Sequence, residues 1–129
     1  MARMKIMRWI CTVVVSVVII ILSTIPVPDV PELDNVPFFD KWVHFVMYGG
    51  LAMAVWFDRT VICKRRMNHS IWTFLFVYPM VLGGLMELVQ AYLTTCRSGD
   101  WLDFYADAFG ALIGLLLCLL IHKPLCRRL

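Results

Sequence analysis

Apolar residues in this chain gather into four long runs divided by polar or charged punctuation, with no amphipathic stripe along them. The first runs from Trp9 to Ile25 and is closed by Pro26. The second runs from Trp42 to Phe57, with Phe38 and Phe39 available to lengthen it. The third covers Ile71 to Leu93 and the fourth Phe104 to Ile121. A helix needs roughly 17–25 residues to cross a hydrocarbon core about 30 Å thick. Runs one, three and four meet that length. Run two reaches across only if it begins near Phe38 or meets a locally thinned bilayer. The pattern predicts an all-α fold, a four-helix transmembrane bundle with helices over about 9–25, 38–57, 71–93 and 104–121. One domain over 1–129 is expected, without repeat or long linker.

Composition agrees and adds a direction. The 129 residues are 61% hydrophobic and 16% charged, against roughly 45–50% and about 25% in soluble domains. So much apolar surface exceeds what one small core can hide, so the surplus must face lipid or a partner. Arg3, Lys5 and Arg8 precede the first run, Arg59, Lys64, Arg65 and Arg66 separate the second from the third, and Lys123, Arg127 and Arg128 follow the fourth. Only Lys41 and Arg97, of 12 basic residues, fall on the other side. The positive-inside rule then predicts both ends in the cytoplasm. The net charge of +3 follows from this topology and gives no reason to expect nucleic-acid binding; the inner basic cluster suits anionic lipid. The first run, seventeen residues with no small-x-small site after it, exceeds the ~7–15 residues of a signal-peptide core, so an uncleaved helix is expected. Of the five cysteines only Cys96 falls outside, which leaves no outer disulfide within one chain.

Local signals refine the boundaries. Pro26, Pro28, Pro31 and Pro37 favour an extended outer connector, which also carries Asp29, Glu32 and Asp34. Asp40, Asn68 or Ser70, and Asp100 are positioned to cap helices two, three and four, with Asp103 completing a variant capping box. Pro79 and Gly83-Gly84 suggest a kink in helix three. Ala106, Gly110 and Gly114, at four-residue spacing, predict a close helix–helix contact along helix four.

The candidate chemistry consists of polar groups where lipid should forbid them. Asp40, His44 and Tyr48 repeat every fourth residue along the outer half of helix two. Glu87 and Gln90 share a face near the outer end of helix three, and Asp103 and Asp107 share one at the start of helix four. Lys41, Arg97 and Asp100 lie close by in sequence. An ionised carboxylate at mid-bilayer costs about 2.5–3.5 kcal/mol on insertion scales, so it is retained with a partner or a task. Convergence of these groups from three helices on one membrane face predicts a polar pocket.

Asp40-Lys41-Trp42-Val43-His44-Phe45, followed by Tyr48-Gly49-Gly50-Leu51, resembles the D-K-x-x-H-F…Y-x-x-L signature of VanZ-like membrane proteins. Glu87-x-x-Gln90, Arg97, Asp100, Asp103, Asp107, Gly110 and Gly114 resemble that family's second pattern. The ordered set extends from Asp40 to Gly114. This chain has Asp107 where many relatives have Asn, and an amide there could hydrogen-bond but not relay a proton. The resemblance implies a four-helix protein of the bacterial cytoplasmic membrane, in a family linked to low-level teicoplanin resistance.

Three functional classes follow. In the first, Lys41 and Arg97 grip an anionic head group of an envelope lipid precursor, or a glycopeptide, while Asp40, His44, Glu87, Gln90, Asp100, Asp103 and Asp107 orient its polar atoms. In the second, a membrane-embedded hydrolase or transferase uses His44, Glu87, Asp103 and Asp107 as metal ligands, or His44 and Glu87 as base and acid. No H-E-x-x-H, zinc-finger spacing or paired nucleophile and base accompanies these residues, so no resident metal or cofactor is expected. In the third, the protein is a structural or small transport component whose polar network sets helix packing or passes protons. The sequence leaves the oligomeric state open.

Overall fold

The computed structural model describes residues 8–26, 36–64, 66–95 and 99–126. Among them every regular element is helical: α1 (Ile10–Thr24), α2 (Phe39–Phe57), α3 (His69–Leu93) and α4 (Trp101–Cys126). Three helical stretches, Phe39–Ile62, His69–Leu93 and Trp101–Pro124, are long and apolar enough to cross a membrane.

The boundaries follow from backbone chemistry. α1 has 15 residues, which at about 1.5 Å per residue is roughly 22 Å, short of the ~30 Å hydrocarbon core. It is therefore shorter than the expected seventeen-residue span. Trp9 serves as its N-cap, and Ile25, the residue before Pro26, turns to ψ 149° as a pre-proline residue must. The second run needs no thinned bilayer, because α2 continues through a π-helical turn at Asp58–Ile62. Arg59, expected in the inner loop, lies on that turn. Asn68 caps α3 by accepting from the Ile71 N–H at 3.0 Å, which moves the start to His69 and puts Ser70 inside the helix. Asp100 Oδ1 accepts from the Leu102 N–H at 2.9 Å, so α4 begins at Trp101. Asp40 is not the N-cap residue of α2. It sits in the first turn, behind Phe38, whose left-handed backbone (φ 59°) makes the cap without a side-chain bond. The helix of α3 runs on through a buried Pro79.

Burial is inverted relative to a soluble bundle. α1 turns Thr12, Ser16 and Ser23 inward and leaves Val13, Val14, Val17 and Val18 open. α3 exposes Val81, Leu85 and Leu88 while burying Gln90. Polar groups inside and β-branched or leucine side chains outside is the arrangement an apolar solvent selects, since lipid supplies no hydrogen bonds. The hydroxyls of α1 are used accordingly: Ser16 Oγ donates to the Thr12 carbonyl at 2.7 Å and hydrogen-bonds Tyr78 Oη at 2.8 Å. Exposed Trp42, Tyr92, Trp101 and Tyr105 gather where the start of α2, the end of α3 and the start of α4 meet, and amphipathic rings of this kind suit a membrane–water boundary.

α2 is the central helix and packs most intimately on α4. A Cβ at Gly110 would overlap the Phe45 carbonyl oxygen, and one at Gly114 would lie 2.6 Å from the Gly49 carbonyl oxygen. Gly110 and Gly114 therefore form the close-approach surface expected of them, opposite Gly49. Ala106 is half-buried on the same helix.

Candidate functional site

The antiparallel order of α2, α3 and α4 brings the start of α2, the end of α3 and the start of α4 to one end of the bundle. Close α2–α4 packing places His44 beside Asp107, with Nδ1 and Oδ1 2.9 Å apart and both side chains 1% exposed. Tyr48, one turn further along α2, stacks on the imidazole at a centroid distance of 6.2 Å and is fully buried. Gly83 on α3 makes room for the carboxylate. A Cβ there would stand 2.7 Å from Asp107 Oδ2.

One turn nearer the boundary, Lys41 Nζ lies 2.9 Å from Asp100 Oδ2 and 2.8 Å from Asp103 Oδ1. Glu87 completes the ring, accepting the Asp100 backbone N–H at Oε2 over 2.8 Å. That bond ties the end of α3 to the cap of α4. Asp103 thus serves Lys41 and not a reciprocal capping box. Gln90 is 2% exposed and donates to the Ser23 carbonyl at 3.0 Å, which fastens α3 to α1. Arg97 lies outside the described residues.

These positions change the electrostatic picture. Lys41 is already neutralised by two carboxylates, so it is not a free grip for an anion. Asp40, Glu87, Asp100, Asp103 and Asp107 outnumber Lys41 and His44 among the described residues. Several buried oxygens have no hydrogen-bond partner: Glu87 Oε1, Asp107 Oδ2 and Tyr48 Oη. An orphaned buried acceptor costs about 1–3 kcal/mol, more when charged, so a set of them marks a place built for something further. Tyr48 and Gly83 belong to this site. Tyr48 was legible as the next step in the Asp40–His44 spacing, whereas nothing in the sequence pairs Gly83 with Asp107.

Between α3 and α4 the bundle opens into a cleft of about 520 Å³ lined by Met80, Val81, Gly84, Leu85, Leu88 and Phe104, with Glu87, Asp100, Tyr92 and Trp101 around its outer part. Its wall is apolar except for the two carboxylates.

Asp100 lies outside the spanning segments. The adjacent Lys41 ammonium, aided by the Leu102 N–H, holds its carboxyl below the usual range. A depressed folded-state pKa contributes stability that is present above the unfolded value, about 3.9, and is lost as pH falls through the folded value. Asp100→Asn should therefore lower the thermal midpoint at pH 6, and the gap from wild type should close as pH drops below about 3.9. A gap unchanged from pH 6 to pH 3 would show that the ion pair carries no stability.

No family model, curated protein or solved structure matches this chain.

Proposed function

We propose that this chain is a multi-pass protein of the bacterial cytoplasmic membrane, with both ends inside, that binds an envelope lipid through its outer-half polar pocket. The observation that carries the reading is the α3–α4 cleft, apolar along its length and edged by Glu87 and Asp100. An acyl or prenyl chain would lie against Val81, Leu85 and Leu88, and the head group would meet the carboxylates at the aromatic boundary. The acid excess selects a head group presenting hydroxyl, amide or ammonium donors, since each charged acceptor makes a stronger bond than a neutral one. A glycopeptide carrying such donors would satisfy the same edge, which keeps the VanZ-like resemblance and teicoplanin protection within this reading.

Reconstitution in nanodiscs with a photoactivatable lipid tests it. Crosslinks should map to the cleft residues of α3 and α4. Gly84→Trp should reduce them about 10-fold, equivalent to about 1.4 kcal/mol. The substitution is suited to this purpose because Gly84 borders the cleft and a Cβ there touches only the Phe104 ring edge, at 3.5 Å. Equal labelling of wild type and Gly84→Trp would remove the cleft as the binding site. In a null strain, wild type but not Glu87→Ala should protect against teicoplanin at equal membrane levels. Failure of wild type to protect would sink the resistance role and leave the lipid reading to the crosslinking result.

A further inference from the structure

Beneath the cleft, on the inner side of Glu87, the bundle gathers a second kind of site. A ring nitrogen of His44, a carboxylate oxygen of Glu87 and a carboxylate oxygen of Asp107 all lie within 4.8 Å of one another. They come from α2, α3 and α4 respectively, so the site exists only when the three spanning helices are assembled. We propose that these three residues bind a divalent metal ion of the zinc or manganese type.

Three features of the geometry support the assignment. The donor set is one imidazole and two carboxylates, the nitrogen and oxygen ligands that borderline first-row ions take. Asp107 is 1% exposed, and its Oδ2 has no hydrogen-bond partner, as is true of Glu87 Oε1. Buried acceptors left open in this way are what a cation would fill, and three groups so close need only small side-chain shifts to reach bonding distance of about 2.0–2.2 Å. Finally, the charges close. Two carboxylates against one divalent ion leave the buried site neutral, whereas without the ion His44 is the only basic group among the described residues that pairs with either acid. Lys41 is engaged one turn away with Asp100 and Asp103.

The remaining coordination positions are open to water or to an oxygen of a bound molecule, the arrangement that distinguishes reactive three-ligand sites from closed structural ones. A second grouping, Asp40, His44 and Asp103, shares the imidazole and is the competing location. Asp103 is already ion-paired with Lys41, which favours the inner set. The site adjoins the cleft and shares Glu87 with its edge, and metal binding read without any lipid probe tests it separately from the lipid reading.

The full chain, purified in nanodiscs of a zwitterionic lipid and stripped with chelator, should be titrated with Co²⁺, Mn²⁺ and Zn²⁺. Visible absorption of Co²⁺ and the spin-resonance signal of Mn²⁺ report binding without any activity. About one equivalent should bind to wild type. Glu87→Gln and Asp107→Asn should each weaken binding by at least about 100-fold, the upper end of what losing even an outer-shell partner costs. Asp40→Asn should bind as wild type does. Glu87→Gln preserves shape, so it carries the test if Asp107→Asn fails to fold. No stoichiometric binding by wild type overturns the proposal. So does binding lost in Asp40→Asn but kept in Glu87→Gln, which would move the ion to the other grouping.

Discussion

Asp58→Ala is expected to lower the stability of the folded protein by at least about 1.5–3 kcal/mol, the worth of a hydrogen bond to a charged acceptor. Asp58 is fully buried at the first position of the π turn that follows α2, and its carboxylate reaches across to the start of α1. Oδ2 accepts from the Thr12 N–H at 2.8 Å and from Thr12 Oγ1 at 2.7 Å, while Oδ1 accepts from the Cys11 N–H at 3.2 Å. Those backbone donors belong to the first turn of α1, whose own N-cap, Trp9, offers no side-chain acceptor. Asp58 is therefore a cap supplied by another helix, and it also faces the positive end of the α1 dipole. Alanine leaves three donors without this partner, two of them buried on Thr12, and hydrogen bonds to a charged acceptor are worth about 1.5–3 kcal/mol each. Asn keeps one oxygen acceptor, so Asp58→Asn should recover part of the loss. Thermal or denaturant unfolding in nanodiscs would read both, and an unchanged midpoint for Asp58→Ala would refute the capping role. The neighbouring Arg59, 5.0 Å over the Trp9 ring, holds the same junction from the other side.

Gly110→Val should be as damaging, for a steric and not an electrostatic reason. The added Cβ meets the backbone carbonyl of Phe45, which cannot turn away as a flexible side chain would. Overpacking typically costs about 1–3 kcal/mol and exceeds that where backbones must separate. The expected result is a large fall in folded yield. In the protein that does fold, the His44–Asp107 contact should be lost, because α2 and α4 carry one partner each. Gly50→Ala is the internal control. Nothing lies within 4 Å of a Cβ there, and replacing a mid-helix glycine should raise stability by up to about 1 kcal/mol. A tolerated Gly110→Val beside a destabilising Gly50→Ala would reverse the packing account.

Much of the bundle was legible because helix formation in lipid is a local problem. Each apolar run must satisfy its own backbone, so run length and capping residues at Asn68 and Asp100 place the helices to within a few residues. The polar site residues were legible for a related reason: a carboxylate inside an apolar run stands out wherever it sits. Asp58 escaped notice because it occupies the end of such a run, where an acid reads as the first residue of a loop. Only the π turn points it inward. Lys41 is the converse case. As one of two outer basic residues it reads as a grip for an anion, and its engagement with Asp100 and Asp103 depends on distances no spacing encodes.

The sequence by itself determined that this is a helical bundle with spans long and apolar enough for a membrane, a close-packed glycine surface on its last helix and most of its intrahelical acids near one end, because hydropathy and small-residue spacing act along a single helix. The tertiary structure alone decided which acids pair, which stay open, and that Asp58 caps a helix 46 residues away. Those outcomes depend on differences of an ångström or two between helices, and electrostatic and steric energies change by whole kilocalories over that range.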